Sequence, residues 1–345
     1  MEEERKVFKK SLFPFVPSQK TGIIRAINPN TYAMQNSFLA IAQRKKKLRC
    51  EKFLEEMNKV IPWEEFLDTI KPFYKDAEVG RKRKKLKMML KIYFLQQWYN
   101  LSDPGAEEAI YDRNSFQKFL EIDLLSEDVP DETTILNFRH LLEENNLQKD
   151  FFYTTANLLE ENGLIMKEGT SVDATIIAAS SSTKNKDKKR DPEMRSTKKG
   201  NEWHFGMKAH IGVESKNGFV HSLETSSANI HDRDVLEDLL HGEEKIVIGD
   251  KGYYKQDEKS KMRKKGVCCG IMDRAKRGAK LSNAQKKRNK KLASARARVE
   301  FPFKILKDQW KYTKTKYKGL FKNTMQLYAL FSLINLYRAR KLLVT

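Results

Sequence analysis

The 345 residues (40.3 kDa) suffice for about two domains with real cores, at roughly 100–200 residues per domain. Lys and Arg number 67 against 46 Asp and Glu, a net charge of +21 and a pI near 9.6, so a polyanion is the expected partner, while 39% hydrophobic and 10% aromatic residues exclude a wholly disordered basic tail. Three cysteines with no C-x-x-C pair exclude a disulfide scaffold and a zinc finger; MEEERK is not a signal peptide; and LYALFSLINLY (327–337) is too short to span a bilayer, so a soluble intracellular protein with no membrane partner is expected.

Residues 1–50 read as a basic, extended arm, and residues 51–165 as a helical N-terminal region. Within it KLKMMLKIYFLQQWYN (85–100) is apolar nearly all round, as a buried central helix must be. Asp103 followed by Pro104 predicts a helix start with Asp103 as the cap. Asp131 opens another helix, with Ile135, Phe138, Leu141 and Leu142 at helical spacing. Arg139-His140 on that helix read equally as a groove contact with DNA or as a solvated face.

The pattern changes near residue 165. GTSVDATIIAAS, HFGMKAHIGVE and FVHSLETSS read as strands, the last two joined by a hairpin at Asn217-Gly218. HDRDVLEDLLHG (231–242) reads as a short amphipathic helix, KIVIGD and GVCCGIMD as further strands, and the chain from 283 as helix, ending in an apolar helix near 323–341. Strands first together and then alternating with helices predict an α/β domain over 166–345 with a mixed sheet flanked by helices. Two basic runs lie within it, beside candidate acidic residues: 183–199, with eight Lys or Arg and three acids, expected as a loop, and 255–298, with 17 Lys or Arg and three acids.

Three acids stand out. Asp173 lies inside a β-branched strand, where a carboxylate is disfavoured and costly to bury. Asp250 ends a strand, the position from which a side chain enters the cleft of an α/β sheet. Glu300 is a lone acid in a strongly basic stretch. Hard oxygen ligands of this kind suit two Mg²⁺ ions acting on a phosphodiester, although each acid taken singly is more often a cap or an ion-pair residue. Trp203 and His204 offer stacking on DNA or plain packing, with packing the simpler reading. His210, His221 and His231 read as hydrogen-bonded and not as zinc ligands, Asn229, His231 and Asp232 as supporting or capping groups, and Cys268-Cys269 as buried hydrophobes.

The stretch from SVDATIIAASSS through GNEWHFGMKAHIGVES, then TSSANIHD, GDKGYY and RARVEFPFKILK, resembles the DDE transposases of bacterial insertion sequences, and among them the group called the "IS five" family. LKIYFLQQWYNLSDPGAEEAIYD, VPDETTILNFRHLLEENNL and NTMQLYALFSLINLYRARKLL carry the resemblance over roughly residues 50–345, in the family's order. It implies an RNase H-like catalytic domain with Asp173, Asp250 and Glu300 as the catalytic and metal-holding acids. Arg296 and Lys307 match basic residues that accompany the glutamate in related transposases, and on one helix 296, 300 and 307 share a face. Ala293, Phe301 and Lys251 depart from the family pattern, which has a Tyr, a His and a small residue there. The auxiliary DNA contacts expected are Arg296, Arg298, Lys307, Lys198, Lys199, Lys251 and Trp203. The implied activity is metal-dependent cleavage at the ends of the element and strand transfer into target DNA, with Mg²⁺ as cofactor (two ions, Mn²⁺ able to substitute). The implied partners are double-stranded DNA, as terminal inverted repeats and target, and further copies of the chain in a dimer or higher synaptic oligomer, in the bacterial cytoplasm at the nucleoid. A DNA-binding protein derived from such an enzyme, or a nuclease that cuts without joining, are the alternatives.

Overall fold

The computed structural model describes residues 46–75, 82–184, 186, 188–254, 256–275 and 278–343. Most of the expected N-terminal arm therefore lies outside the described residues. The chain divides into two compact units, Met1–Leu48 and Arg49–Thr345, and all elements named here belong to the second.

Among the described residues seven helices come first: α1 (Arg49–Val60), α2 (Trp63–Ile70), α3 (Leu86–Tyr99), α4 (Asp103–Asp112), α5 (Asn114–Leu120), α6 (Glu132–Glu144) and α7 (Leu147–Glu161). The apolar helix read from the sequence is α3, buried from Met88 to Trp98. Asp131 caps α6 as expected, accepting the Thr134 N–H at 2.6 Å. The cap of α4, however, is Ser102, whose Oγ accepts the Gly105 N–H at 3.1 Å, and Asp103 is its first helical residue. Asp103 instead serves the core. Arg139 is only 6% exposed and pairs with Asp103 (3.0 Å) and Glu143 (3.0 Å), with its guanidinium 4.4 Å from the Tyr317 ring centre. Neither a groove contact nor a solvated face describes it, because a buried cation must be matched by buried acids.

The sheet holds six strands: β1 (Gly169–Ala178), β2 (Arg195–Lys199), β3 (Glu202–Glu214), β4 (Val220–Ser227), β5 (Ile246–Gly249) and β6 (Cys268–Ile271). Its order is β2-β3-β1-β5-β6, with β4 also on β3. β1 runs antiparallel to β3 and parallel to β5, and β5 parallel to β6, giving the expected mixed sheet. Gly218, at φ 71°, turns the chain between β3 and β4. β2 lies within the run expected as a loop. Its side chains are largely exposed, so no apolar alternation marked it, and it is held by backbone pairing to β3.

The segment expected as a helix at 231–242 forms two 3₁₀ turns, Asp232–Val235 and Glu237–Leu239, which bury Val235 and Leu239. Between β5 and β6 lie a 3₁₀ turn, Lys251–Tyr253, and α8 (Gln256–Lys264). After β6 come α9 (Asn283–Arg296), a 3₁₀ turn (Ala297–Val299), α10 (Glu300–Lys304), a π-helical turn (Ile305–Gln309) and α11 (Leu320–Ala339). Cys269 is buried but Cys268 is exposed, as the pleat requires of neighbours on a strand.

One face of the sheet, through Ile177, Met207, Ala209, Ile211 and Val213, joins a core shared with α1–α7 and α11. α11 is the hub, packed on α7 and β4 and buried on all sides, with Phe331 0% exposed. Among the described residues no helix is long and apolar enough to cross a membrane. The other face carries a smaller core of Val172, Leu236, Leu239, Val247, Tyr253, Met262 and Ile271.

Candidate active site

The sheet register assembles the first two acids. Ser171 of β1 pairs with Ile248 of β5 in parallel, which brings Asp250, the residue just past the end of β5, close enough for its charge to act on Asp173. Asp250 leaves β5 by capping the turn that follows, its Oδ1 accepting the Gly252 N–H at 2.7 Å. Gly252 leaves room for the Asp250 carboxylate. A Cβ on it would stand 2.9 Å from Asp250 Oδ1 and 3.6 Å from Asp232 Oδ2.

The third acid arrives through an arginine. Arg296, at the end of α9, donates from Nη2 to Asp173 Oδ2 at 2.9 Å, and the same nitrogen lies 3.7 Å from Glu300 Oε1 one turn on. Asp173 Oδ1 accepts the Ala174 N–H at 2.9 Å. Burial raises the Asp173 carboxyl above its ordinary value; Arg296 opposes this and the Asp250 charge adds to it. Burial pulls Arg296 down, but Asp173, Asp250 and Glu300 outweigh it and hold the guanidinium above its ordinary value. Asp173, Asp250, Glu300 and Arg296 therefore form one electrostatic group, with the Glu300 side chain 65% exposed at its rim.

The expected shared helical face of 296, 300 and 307 is broken into α, 3₁₀, α and π segments. Both basic residues nevertheless reach β1, because Lys307 Nζ donates to the Ile176 carbonyl at 2.7 Å. Burial lowers the Lys307 pKa, and nearby Lys199 lowers it further. Arg298 donates to the Ser215 carbonyl at 2.8 Å and so ties the 297–299 turn to the β3–β4 hairpin. Lys198 and Lys199 are exposed on β2, Lys251 is exposed beside Asp250, and Trp203, paired with Lys198, is 71% exposed. Much of the second basic run is α9, which buries none of its residues. It is pinned to the sheet by Arg288, bonded to Asp273 (2.9 Å) and the Cys269 carbonyl (2.6 Å).

His210 and His221 behave as hydrogen-bonding groups: His210 Nε2 lies 2.8 Å from Ser226 Oγ, and His221 bonds Thr170 and Ser222. Asp232, read from the sequence as a supporting or capping group, opens the Asp232–Val235 turn. It accepts from Lys208 Nζ at 2.9 Å and faces the Asp250 turn across Gly252. Its only signal was the acid ending TSSANIHD, since the partner Lys208 lies on another strand.

Among the described residues, no three His, Cys, Asp or Glu side chains already stand about one point where a metal ion could sit. The residues present still suit a hard divalent cation. All the donors are carboxylate oxygens, the space beside Asp250 is one a Cβ would fill, and the Arg296 guanidinium bridges Asp173 and Glu300 as a cation would.

Two family models match the chain. The Transposase DDE domain covers residues 165–336, which include all three acids, Arg296 and Lys307. The Transposase domain (DUF772) covers residues 42–141, the region of α1–α6 up to Leu141.

Proposed function

We propose that this chain, which belongs to the DDE transposases, cuts DNA at the ends of an insertion sequence of the "IS five" kind and joins the freed end to target DNA. Asp173, Asp250 and Glu300 would hold the divalent ions, Mg²⁺ or Mn²⁺. Once bound, two such ions supply the positive charge that activates the attacking oxygen and stabilises the leaving one.

The chain's own groups orient this chemistry. Arg296 fixes Asp173 Oδ2 and draws Glu300 towards β1. The Gly252 N–H fixes Asp250 Oδ1. Exposed cations on β2 and α9, with Lys251, neutralise phosphates on either side of the acids. Water cuts the phosphodiester at the element end and leaves a 3′ hydroxyl. That hydroxyl then attacks a target phosphodiester, with the target's own 3′ oxygen as the leaving group.

The helices from 51 to 165 are assigned to recognition of the terminal inverted repeats and to self-association in the synaptic complex, and residues 166–345 to catalysis. The working location is the bacterial cytoplasm, on the nucleoid. The observation that carries the reading is Arg296 bridging Asp173 and Glu300, with Asp250 just past the end of the neighbouring strand.

The test is incubation of the purified chain with a labelled duplex bearing the element's end and an unlabelled target, in Mg²⁺ and in EDTA. Mg²⁺-dependent nicking at the boundary followed by joined products is expected. Nicks without joined products would make it a nuclease, and specific binding without nicks a DNA-binding protein.

A further inference from the structure

A fourth carboxylate stands beside the Asp250 turn. Asp232 opens the 3₁₀ turn after β4, and that turn packs on the Lys251–Tyr253 turn that follows Asp250. A Cβ on Gly252 would touch both Asp250 Oδ1, at 2.9 Å, and Asp232 Oδ2, at 3.6 Å, so the two side chains converge on the same small space.

The opposite oxygen of Asp232 is clamped. Lys208 Nζ donates to Oδ1 at 2.9 Å and to the Ile230 carbonyl at 2.7 Å. On β3 the odd residues Met207, Ala209 and Ile211 enter the large core, which sends Lys208 and His210 to the face where Asp232 stands. His210 Nδ1 is buried 3.9 Å from Asp232 Oδ1 and has no hydrogen-bond partner among the described residues. Burial keeps the His210 pKa low, so Lys208 is the counter-charge to Asp232.

A second group is buried at the Asp250 turn. Tyr253 is 0% exposed and its hydroxyl has no partner among the described residues. Burial first, then the charges of Asp232, Asp173 and Asp250, keep its proton on well above the ordinary phenol value. A buried hydroxyl on this turn without a partner among the described residues, with a glycine between the Asp250 and Asp232 carboxylates, is an arrangement that a divalent cation beside Asp250 would complete.

We propose that Asp232, held by Lys208, is a fourth carboxylate of the acid site and raises its affinity for a divalent cation by facing the Asp250 turn. The proposal rests on the reading of Asp173, Asp250 and Glu300 given above. Asp232 acts through the field and orientation of the site, with Lys208 offsetting part of its charge.

The test is titration of the full chain with Mn²⁺ without DNA, following the spin-resonance signal of free Mn²⁺. Asp232→Asn should weaken binding about tenfold, the usual scale for an outer group that supports a metal site. Lys208→Met removes the offsetting cation and should bind Mn²⁺ as tightly as the wild type or more so. A purely structural ion pair predicts that both variants lose affinity together, and that result overturns the proposal. Unchanged binding in Asp232→Asn, with weakened binding in Asp250→Asn, overturns it while sparing the acid site. Unchanged binding in Asp250→Asn removes the acid site and this proposal with it.

Discussion

Arg296→Met isolates the electrostatic centre of the site. In the wild type the guanidinium sits 2.9 Å from Asp173 Oδ2, and the two side chains are 23% and 16% exposed. Removing one partner of a fully buried pair costs about 3–5 kcal/mol; with this residual solvent access, about 2 kcal/mol is expected. At roughly 2 °C per kcal/mol for a chain of this size, the Tm should fall by about 4 °C. The loss also has a pH signature. Asp173 is raised above its ordinary 3.8 even with Arg296 beside it, burial being the main cause. The folded chain thus binds that proton more tightly than the unfolded chain. The associated stability is complete below pH 3.8 and is lost as pH rises through the raised value. Without the guanidinium the folded value moves higher still. The variant's deficit should therefore be small at about pH 4 and fully developed by about pH 8. Urea unfolding followed by circular dichroism at both pH values measures it. No deficit at the higher pH, or the same deficit at both, would refute the coupling of Arg296 to Asp173.

Gly252→Ala pushes a methyl to 2.9 Å from Asp250 Oδ1. Cleavage should fall about a hundredfold, the scale of a misplaced reacting group, while the melting curve barely moves. Near-wild-type nicking would mean that the Asp250 carboxylate is not held where it is needed. Replacing Lys198 and Lys199 together by Ala should lower the slope of log K against log salt by about 2, equally for element-end and unrelated duplexes. An unchanged slope would remove β2 from the DNA-facing surface. Phe331→Ala, at a position 0% exposed in α11, should cost about 3–5 kcal/mol; a loss below about 1 kcal/mol in urea unfolding would contradict the shared core.

The parts of this protein that the sequence reveals are those set by local pattern. The strand around Asp173, the hairpin at Gly218 and the all-round apolar α3 follow from alternation, turn chemistry and helical spacing. Asp173 itself was conspicuous because a carboxylate in a β-branched strand needs a reason, and Arg296, 123 residues away, provides it. What local pattern cannot carry is the identity of distant partners. Arg139 reads as a surface cation until Asp103 and Tyr317 close over it. β2 has no apolar face and exists because β3 offers it hydrogen bonds. The 231–242 segment has helical spacing, yet its buried residues, Val235, Leu236 and Leu239, are presented by two 3₁₀ turns and the residue between them. Asp232 reads as a supporting or capping acid, and its neighbours Lys208 and Gly252 are not legible from local pattern.

The most direct test of the central claim is a single-turnover nicking assay on a labelled element-end duplex in Mg²⁺, with wild type, Asp173→Asn, Asp250→Asn and Glu300→Gln run side by side and binding measured on the same samples. Nicking at the boundary by the wild type, abolished in all three variants while end binding persists, is the predicted result. A variant that cuts at close to the wild-type rate would contradict the assignment of that acid, and loss of binding along with cutting would contradict the separation of the acids from DNA recognition.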